Sequence, residues 1–356
     1  MEEKEFLELA EKLCSARGMS GYEDEVVKIA RDFCKGFATL EEDSMRNLYI
    51  YPNYNKGNRP LVMLDAHSDE VGFMVQAIKP DGTLKFISVG GWPENTLPSS
   101  KVQVYTKTGY ISGVITAIPP HFMTAEQRNA PIKISDLTID VGASSDKEAK
   151  EFGVEVGAPV VPKTQFEYDK KHGLLFGKAF DDRLGVLATL ITLKKLQAEK
   201  LNVDVVGVIS TQEEVGERGI TAVMGRIKPA AAICLEGCPA DDTFSPQYMV
   251  QDALHGGVML RFMDRTVICT PRFTEFSRSV AAKQNVKVQM AVRSGGGNNG
   301  AYIISANGGT PVIVAGIPVR YIHTFNCIAA KEDVESVINF TAETVKALDE
   351  KVIASF

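Results

Sequence analysis

The chain has 356 residues, 44% of them hydrophobic and 24% charged, the composition expected of a soluble globular protein with room for one large domain or two ordinary ones. A net charge of −6 disfavours a nucleic-acid partner. The start, Met1-Glu2-Glu3-Lys4-Glu5-Phe6, is acidic where a secretion signal is apolar, and no apolar run reaches bilayer length, so a cytoplasmic chain with no membrane partner is expected.

In chain order, Glu3 to Ala16 is amphipathic, with Phe6, Leu7, Ala10 and Leu13 on one face, and Gly18-Met19-Ser20-Gly21 breaks it. Ser20 with Glu23 three positions later reads as a capping box opening a second helix through Val26, Ile29, Ala30 and Phe33. Short strands are expected at Asn47–Tyr51 and Pro60–Leu64. From Val71 to Val161 helical periodicity is scarce and short apolar runs alternate with turn signals. Lys85–Ile87, Val102–Tyr105, Tyr110–Ile115 and Leu137–Val141 are the runs, with a hairpin turn at Thr108-Gly109.

After Leu174 an α/β rhythm returns: a helix over Leu184–Leu196, strands at Val203–Ile209, Ala230–Leu235 and Pro311–Ala315, and a terminal helix over Asp333–Leu348. Alternating strands and helices imply an α/β fold with a mostly parallel sheet and helices on both faces. The expected division is an α/β domain made of residues 1–70 and 162–356, interrupted by an all-β insertion at 71–161. The six cysteines are scattered through the chain, so reduced thiols are expected, and Cys234 and Cys238 lack the second pair a zinc knuckle needs.

Several apolar runs end on ligand-type residues. Leu61-Val62-Met63-Leu64 leads to His67, with Asp69 two positions on, placed to orient an imidazole that binds metal. Asp181 and Asp182 precede a helix; a helix cap accounts for one of them and not for both. Glu213 and Glu214 follow the strand Val205–Ile209, where one carboxylate can bind metal while its neighbour takes a proton from water. Glu236 ends the strand Ala231–Leu235, and His323 follows Pro318–Ile322. Two histidines and several carboxylates at separate strand ends form a mixed nitrogen and oxygen set suited to zinc, cobalt or manganese. Of the remaining histidines, His121 reads as a structural loop residue and His172 as solvent-facing, while His255 has no carboxylate pattern around it in the sequence.

His67-x-Asp69, Ala179-Phe180-Asp181-Asp182-Arg183, Glu213-Glu214, Glu236 and Tyr321-Ile322-His323 together resemble the M42 family of metallo-aminopeptidases, which includes glutamyl and tetrahedral aminopeptidases. The resemblance runs nearly end to end and takes in Gly90-Gly91-Trp92, Pro119-Pro120-His121 and Ile139–Ala143. It implies two divalent metal ions bridged by Asp181, one also held by His67 and Glu236, the other by Glu214 and His323. Asp69 would orient His67, and Glu213 would be the general base of a metal-activated water attacking the N-terminal peptide bond. It further implies a dimetal exopeptidase-like fold with a PDZ-like insertion, peptide substrates, and a homo-oligomer that is a tetrahedral dodecamer.

Three positions depart from that pattern. Gly295-Gly296-Gly297-Asn298-Asn299-Gly300 stands where many members have Gly-Gly-Thr-Asp, Thr324-Phe325 where Ser-Pro is common, and Glu236 where Asp is common. Two other readings fit the same residues: an amidohydrolase or deacylase acting on N-acyl amino acids, and a peptide-binding scaffold with a vestigial site.

Overall fold

The computed structural model describes residues 2–356. Its strands are β1 (Ala38–Glu42), β2 (Leu48–Pro52), β3 (Leu61–His67), β4 (Gly72–Ile78), β5 (Leu84–Val89), β6 (Lys101–Thr106), β7 (Gly109–Ile115), β8 (Ile139–Asp140), β9 (Pro159–Pro162), β10 (Glu167–Asp169), β11 (Leu174–Gly177), β12 (Asp204–Ser210), β13 (Ala231–Pro239), β14 (Val258–Met263), β15 (Val288–Val292), β16 (Val312–Arg320) and β17 (Cys327–Ala330). An 11-stranded sheet runs β1-β2-β12-β3-β13-β16-β17-β11-β10, with β14 and β15 joining at β16.

The sheet is mixed and not mostly parallel, which corrects the expectation from the α/β rhythm. Only its centre is parallel, β12 with β3, β3 with β13 and β13 with β16, together with the outlying pair β14 and β15. Those central strands are long, buried and separated by helices, as parallel neighbours require. The flanks β1 with β2, β2 with β12, and β10, β11 and β17 are antiparallel. Several of these strands are joined by connections too short for a crossover.

Alternation along β3 divides the core. Val62, Leu64 and Ala66 face the helices Glu3–Ser15, Asp24–Cys34, Phe180–Lys195 and Lys331–Ala347, while Met63 faces the helices Arg218–Arg226 and Gly300–Ser305. The helix Phe180–Lys195 is buried on all sides from Phe180 to Leu193, so it is a core element and not an amphipathic cover.

Six strands outside the sheet close a separate small barrel in the order β4-β5-β8-β7-β6-β9. Inward residues alternate, as Val102 and Val104 on β6 illustrate, and they pack with Phe73, Leu84, Phe86, Ile139 and Val160. The hairpin between β6 and β7 turns at Lys107-Thr108, and Gly109 supplies a φ of +122° beside it. Trp92 and Phe325 stack on Phe73 at centroid separations of 4.7 and 6.5 Å, joining the barrel to the segment that follows His323.

The capping box at Ser20 does not form. The second helix begins at Asp24 with Glu23 before it, and the Ser20 hydroxyl donates to Asp69 Oδ2 at 2.6 Å instead. Local sequence favours the cap, but a buried carboxylate brought from a distant strand competes for the hydroxyl and wins. All six cysteines are free thiols and buried. Among the described residues no helix is long and apolar enough to cross a membrane.

Candidate metal centre

β3 continues past Leu64 so that His67 is its last residue, fully buried. Asp69 lies just beyond, and its Oδ1 is 3.3 Å from His67 Nδ1. The same carboxylate accepts the backbone N–H groups of Glu213 at 2.9 Å and Glu214 at 3.2 Å. Asp69 therefore positions the imidazole and the Glu-Glu turn together, which its place in the sequence does not reveal.

Asp181 sits between the two imidazoles. Its Oδ1 is 3.1 Å from His67 Nε2 and its Oδ2 is 3.2 Å from His323 Nε2. Glu214 Oε2 is 3.3 Å from His323 Nε2, and Glu213 Oε2 and Glu236 Oε1 each stand 3.9 Å from His67 Nε2. Glu236 lies inside β13, which runs on to Pro239, and not at a strand end as the sequence suggested. The structure thus brings His67, Asp69, Asp181, Glu213, Glu214, Glu236 and His323 into one cluster.

It leaves the other histidines outside that cluster. His121 is exposed in a short 3-10 turn, His172 pairs with Asp169 at 2.6 Å, and His255 meets Glu332 at 2.7 Å, a partner the sequence hid 77 residues away.

Asp182 has a different task from Asp181. Its Oδ2 accepts the N–H of His67 at 3.1 Å, and its Oδ1 accepts those of Gly237 at 2.9 Å and Gly185 at 3.1 Å. Three backbone donors occupy this carboxylate, so it ties β3, β13 and the central helix into one frame beneath the cluster. Both acids stand at the opening of the helix Phe180–Lys195, where its dipole favours negative charge. Four non-glycine residues flanking the cluster adopt left-handed backbone: Ala179 (φ +54°), Gln212 (φ +54°), Tyr321 (φ +60°) and His323 (φ +58°). Such strain persists only where the surroundings over-determine it, and it gathers at functional sites.

The electrostatics favour cations. Burial raises the Glu214 carboxyl to about 8, with Asp181 adding to the shift, and burial also raises Glu213 and Glu236 well above the carboxylate range. Burial alone would lower the His323 imidazole, but Glu214 and Asp181 outweigh it and lift the ring to about 9. Within the cluster Glu214 Oε1 and Glu236 Oε2 are buried without a hydrogen-bond partner among the described residues, and His67 Nδ1 meets Asp69 Oδ1 at an ion-pair distance of 3.3 Å without hydrogen-bond geometry. Ligating atoms of His67, Asp181 and Glu214 lie within 4.8 Å of one another, as do those of His67, Asp182 and Glu236. Orphaned oxygens, carboxyl groups that ionise only at a cost without a counter-charge, and two imidazoles fit divalent metal ions. For Asp182 the three backbone bonds argue for bracing and against ligation.

The cluster faces a cavity of about 540 Å³ lined by Asp181, Glu213, Glu214 and Glu236 and also by Arg261, Arg293 and the segment Ser294–Gly297. Arg261 pairs with Asp264 at 2.8 Å and Arg293 with Asp241 at 2.7 Å. Burial pushes the nearby Asp252 carboxyl well above its usual range, with Arg293 and Arg261 opposing that shift. Sequence reasoning missed Arg261 and Arg293, because no local pattern distinguishes a buried arginine from a surface one.

A buried frame of acids and imidazoles on an α/β sheet, opening on a polar cavity, defines a metal-dependent hydrolase. The chain belongs to the M42 glutamyl aminopeptidase family, whose model matches residues 47–340. The glutamyl aminopeptidase of Lactococcus lactis subsp. cremoris is 30% identical over 98% of this chain and 98% of its own length. The solved TET aminopeptidase of the marine sediment archaeon Thaumarchaeota archaeon SCGC AB-539-E09 matches with a TM-score of 0.95 at 31% identity, covering 99% of each chain. A TET1 peptidase from Pyrococcus horikoshii, which can assemble into a tetrahedron or a large octahedral shell, matches at 27% identity and a TM-score of 0.86 over 96% of this chain and 100% of its own.

Proposed function

We propose that this aminopeptidase releases the N-terminal residue of peptides with two divalent metal ions, zinc or cobalt first and manganese next, and with Glu213 as general base. The observation that carries the reading is Asp181, whose two oxygens reach two different imidazoles at 3.1 and 3.2 Å. His67, Asp181 and Glu236 would hold one ion, and Asp181, Glu214 and His323 the other. When bound, the ions supply Lewis acidity toward the scissile carbonyl and the attacking water.

The chain's own groups do the rest. Asp69 keeps the His67 ring turned toward the centre. Glu213 lines the cavity 3.9 Å from His67 Nε2, a place from which a carboxylate can accept a proton from water and return it to the leaving amine. Carboxylates around the cavity can hold the substrate's free ammonium, which confines cleavage to the first residue. Acidic N-terminal residues come first among substrates in this reading: Arg261 and Arg293, each paired with one aspartate, line the cavity with Nε–H groups that have no partner among the described residues, and the Lactococcus relative is a glutamyl aminopeptidase. The barrel at residues 71–161, PDZ-like by resemblance, would serve assembly and substrate access in a cytoplasmic dodecamer, a state supported by the assembling Pyrococcus relative.

Glu213→Gln tests the mechanism. Metal content by elemental analysis should stay at the wild-type level while turnover of an aminoacyl anilide falls about 10²–10⁴-fold. A variant with wild-type metal and near-wild-type turnover would remove Glu213 from this role.

A further inference from the structure

The cavity wall opposite in kind to the acidic cluster is a stretch with almost no side chains, Ser294-Gly295-Gly296-Gly297. A Cβ on Gly295 or Gly296 would meet nothing within 4 Å, and Gly296 holds a φ of +80°. A Cβ on Gly297 would stand 3.0 Å from Thr266 Cγ2 and 3.1 Å from Glu217 Oε1. A glycine run costs conformational entropy to fix, so its position depends on what holds its two ends.

At the leading end Arg293 donates its backbone N–H to Met263 O at 2.9 Å and its guanidinium to Asp241. At the far end two consecutive buried amides do the work. Asn298 Nδ2 donates to Asp264 Oδ2 at 2.7 Å, the same oxygen that accepts Arg261 Nη1 at 2.8 Å. Asn299 Nδ2 donates to Asp65 Oδ2 at 2.7 Å and to Ser210 Oγ at 2.9 Å, on the strand that carries His67 and at the end of the strand that leads to Glu213. Both asparagines are completely buried. Asp264 Oδ1 is also taken, by Thr266 N at 2.7 Å, Thr266 Oγ1 at 2.9 Å and Val267 N at 3.0 Å.

We infer that Asn298 is a positioning residue for the pocket that receives the substrate's first side chain, holding the glycine wall and Arg261 in register through Asp264. The inference rests on the aminopeptidase reading of the same cavity. Charge explains why an amide stands here. Asp264 and Arg261 already form a neutral buried pair, and the remaining neighbour must be a neutral donor. A carboxylate at this position would face Asp264 at hydrogen-bond distance, compete for Arg261 and free the wall. Asn299 separates the two tasks, since its bonds run to the reacting side and not to the arginine.

The test compares wild type, Asn298→Asp, Asn298→Ala and the exchange N298D/D264N, each checked for metal content and thermal melting. The substrates are glutamyl and alanyl p-nitroanilide. For Asn298→Asp the glutamyl KM should rise about tenfold with kcat little changed, and the glutamyl-to-alanyl selectivity should fall by a similar factor. Asn298→Ala should show the same split more weakly, and it carries the test if Asn298→Asp does not fold. N298D/D264N should recover no selectivity, because an amide at 264 has a single acceptor oxygen and cannot take Arg261 on one side and Thr266 and Val267 on the other, and full recovery would contradict this role for Asp264. Calorimetric binding of free L-glutamate should weaken in parallel, a readout independent of turnover. Wild-type inactivity on every anilide would count against the aminopeptidase reading, while unchanged glutamate binding would count against Asn298. Equal losses on both anilides, or a fall in kcat at constant KM, would also overturn the inference.

Discussion

Asp181 links the two halves of the cluster, because one carboxylate lies within 3.2 Å of both imidazoles. Asp181→Asn should therefore cost both metal ions together, read as metal per subunit, whereas His323→Ala should reduce the count by about one. Protons compete for the same groups. Folding raises the Glu214 carboxyl from 4.5 to about 8, first by burial, and raises His323 from 6.5 to about 9, where Glu214 and Asp181 overcome the opposing effect of burial. In each case the folded chain binds more protons than the unfolded chain, so stability falls as pH rises. The Glu214 contribution is lost between about pH 4.5 and 8 and the His323 contribution between about 6.5 and 9. Asp181, held low by the two imidazoles against its own burial, pulls the other way only in acid. Melting of chelator-treated protein should thus drop from pH 6 to 9, and added metal should raise it most at the alkaline end. A flat or rising profile would contradict this charge balance.

At the scale of elements, the frame around the site is held by buried ions and by one aromatic stack. Lys178 donates to both oxygens of Glu70 at 2.6 and 2.7 Å, and Arg183 reaches Glu70 at 3.3 Å and the carbonyls of Ser68, Leu13 and Ala16. Glu70→Gln leaves two buried cations short of a counter-charge and should destabilise the protein by about 3–5 kcal/mol in denaturant unfolding. Phe325 is buried among barrel residues although it belongs to the segment after His323. Phe325→Ala should cost about 3–5 kcal/mol if the site cannot collapse, and it should weaken metal retention by loosening His323.

Much at this scale was legible in the sequence. Apolar runs located β3, β12, β13 and β16, and His67, Asp69, Glu213, Glu214 and His323 stand at or just past the ends of three of them, while Glu236 lies inside β13 and Asp181 opens a helix. Of the antiparallel flanks β2 was legible, as the strand expected at Asn47–Tyr51, whereas β1, β10, β11 and β17 were not, because three- to five-residue strands leave little periodicity. Nor were Ser20, Asn299 and Arg261, whose partners are fixed only by the fold. Ser20 shows the limit most sharply, since its local pattern named a cap that a remote carboxylate displaced.

For the whole molecule, the inserted segment exposes Phe122 at 79% and Val156 at 67%, and the α/β part exposes Phe244 at 74% and Tyr248 at 86%. Native mass spectrometry should find a closed homo-oligomer, and a monomer at micromolar concentration would contradict the assembly part of the proposal. The central claim is metal-dependent removal of a free N-terminal residue. Its most direct measurement pairs an aminoacyl anilide with the N-acetylated form of the same anilide, before and after chelation and with zinc, cobalt or manganese restored. The free-amine substrate should be hydrolysed only with metal present, and the acetylated one should be left intact. Turnover that survives chelation, or equal cleavage of the blocked substrate, would contradict the account.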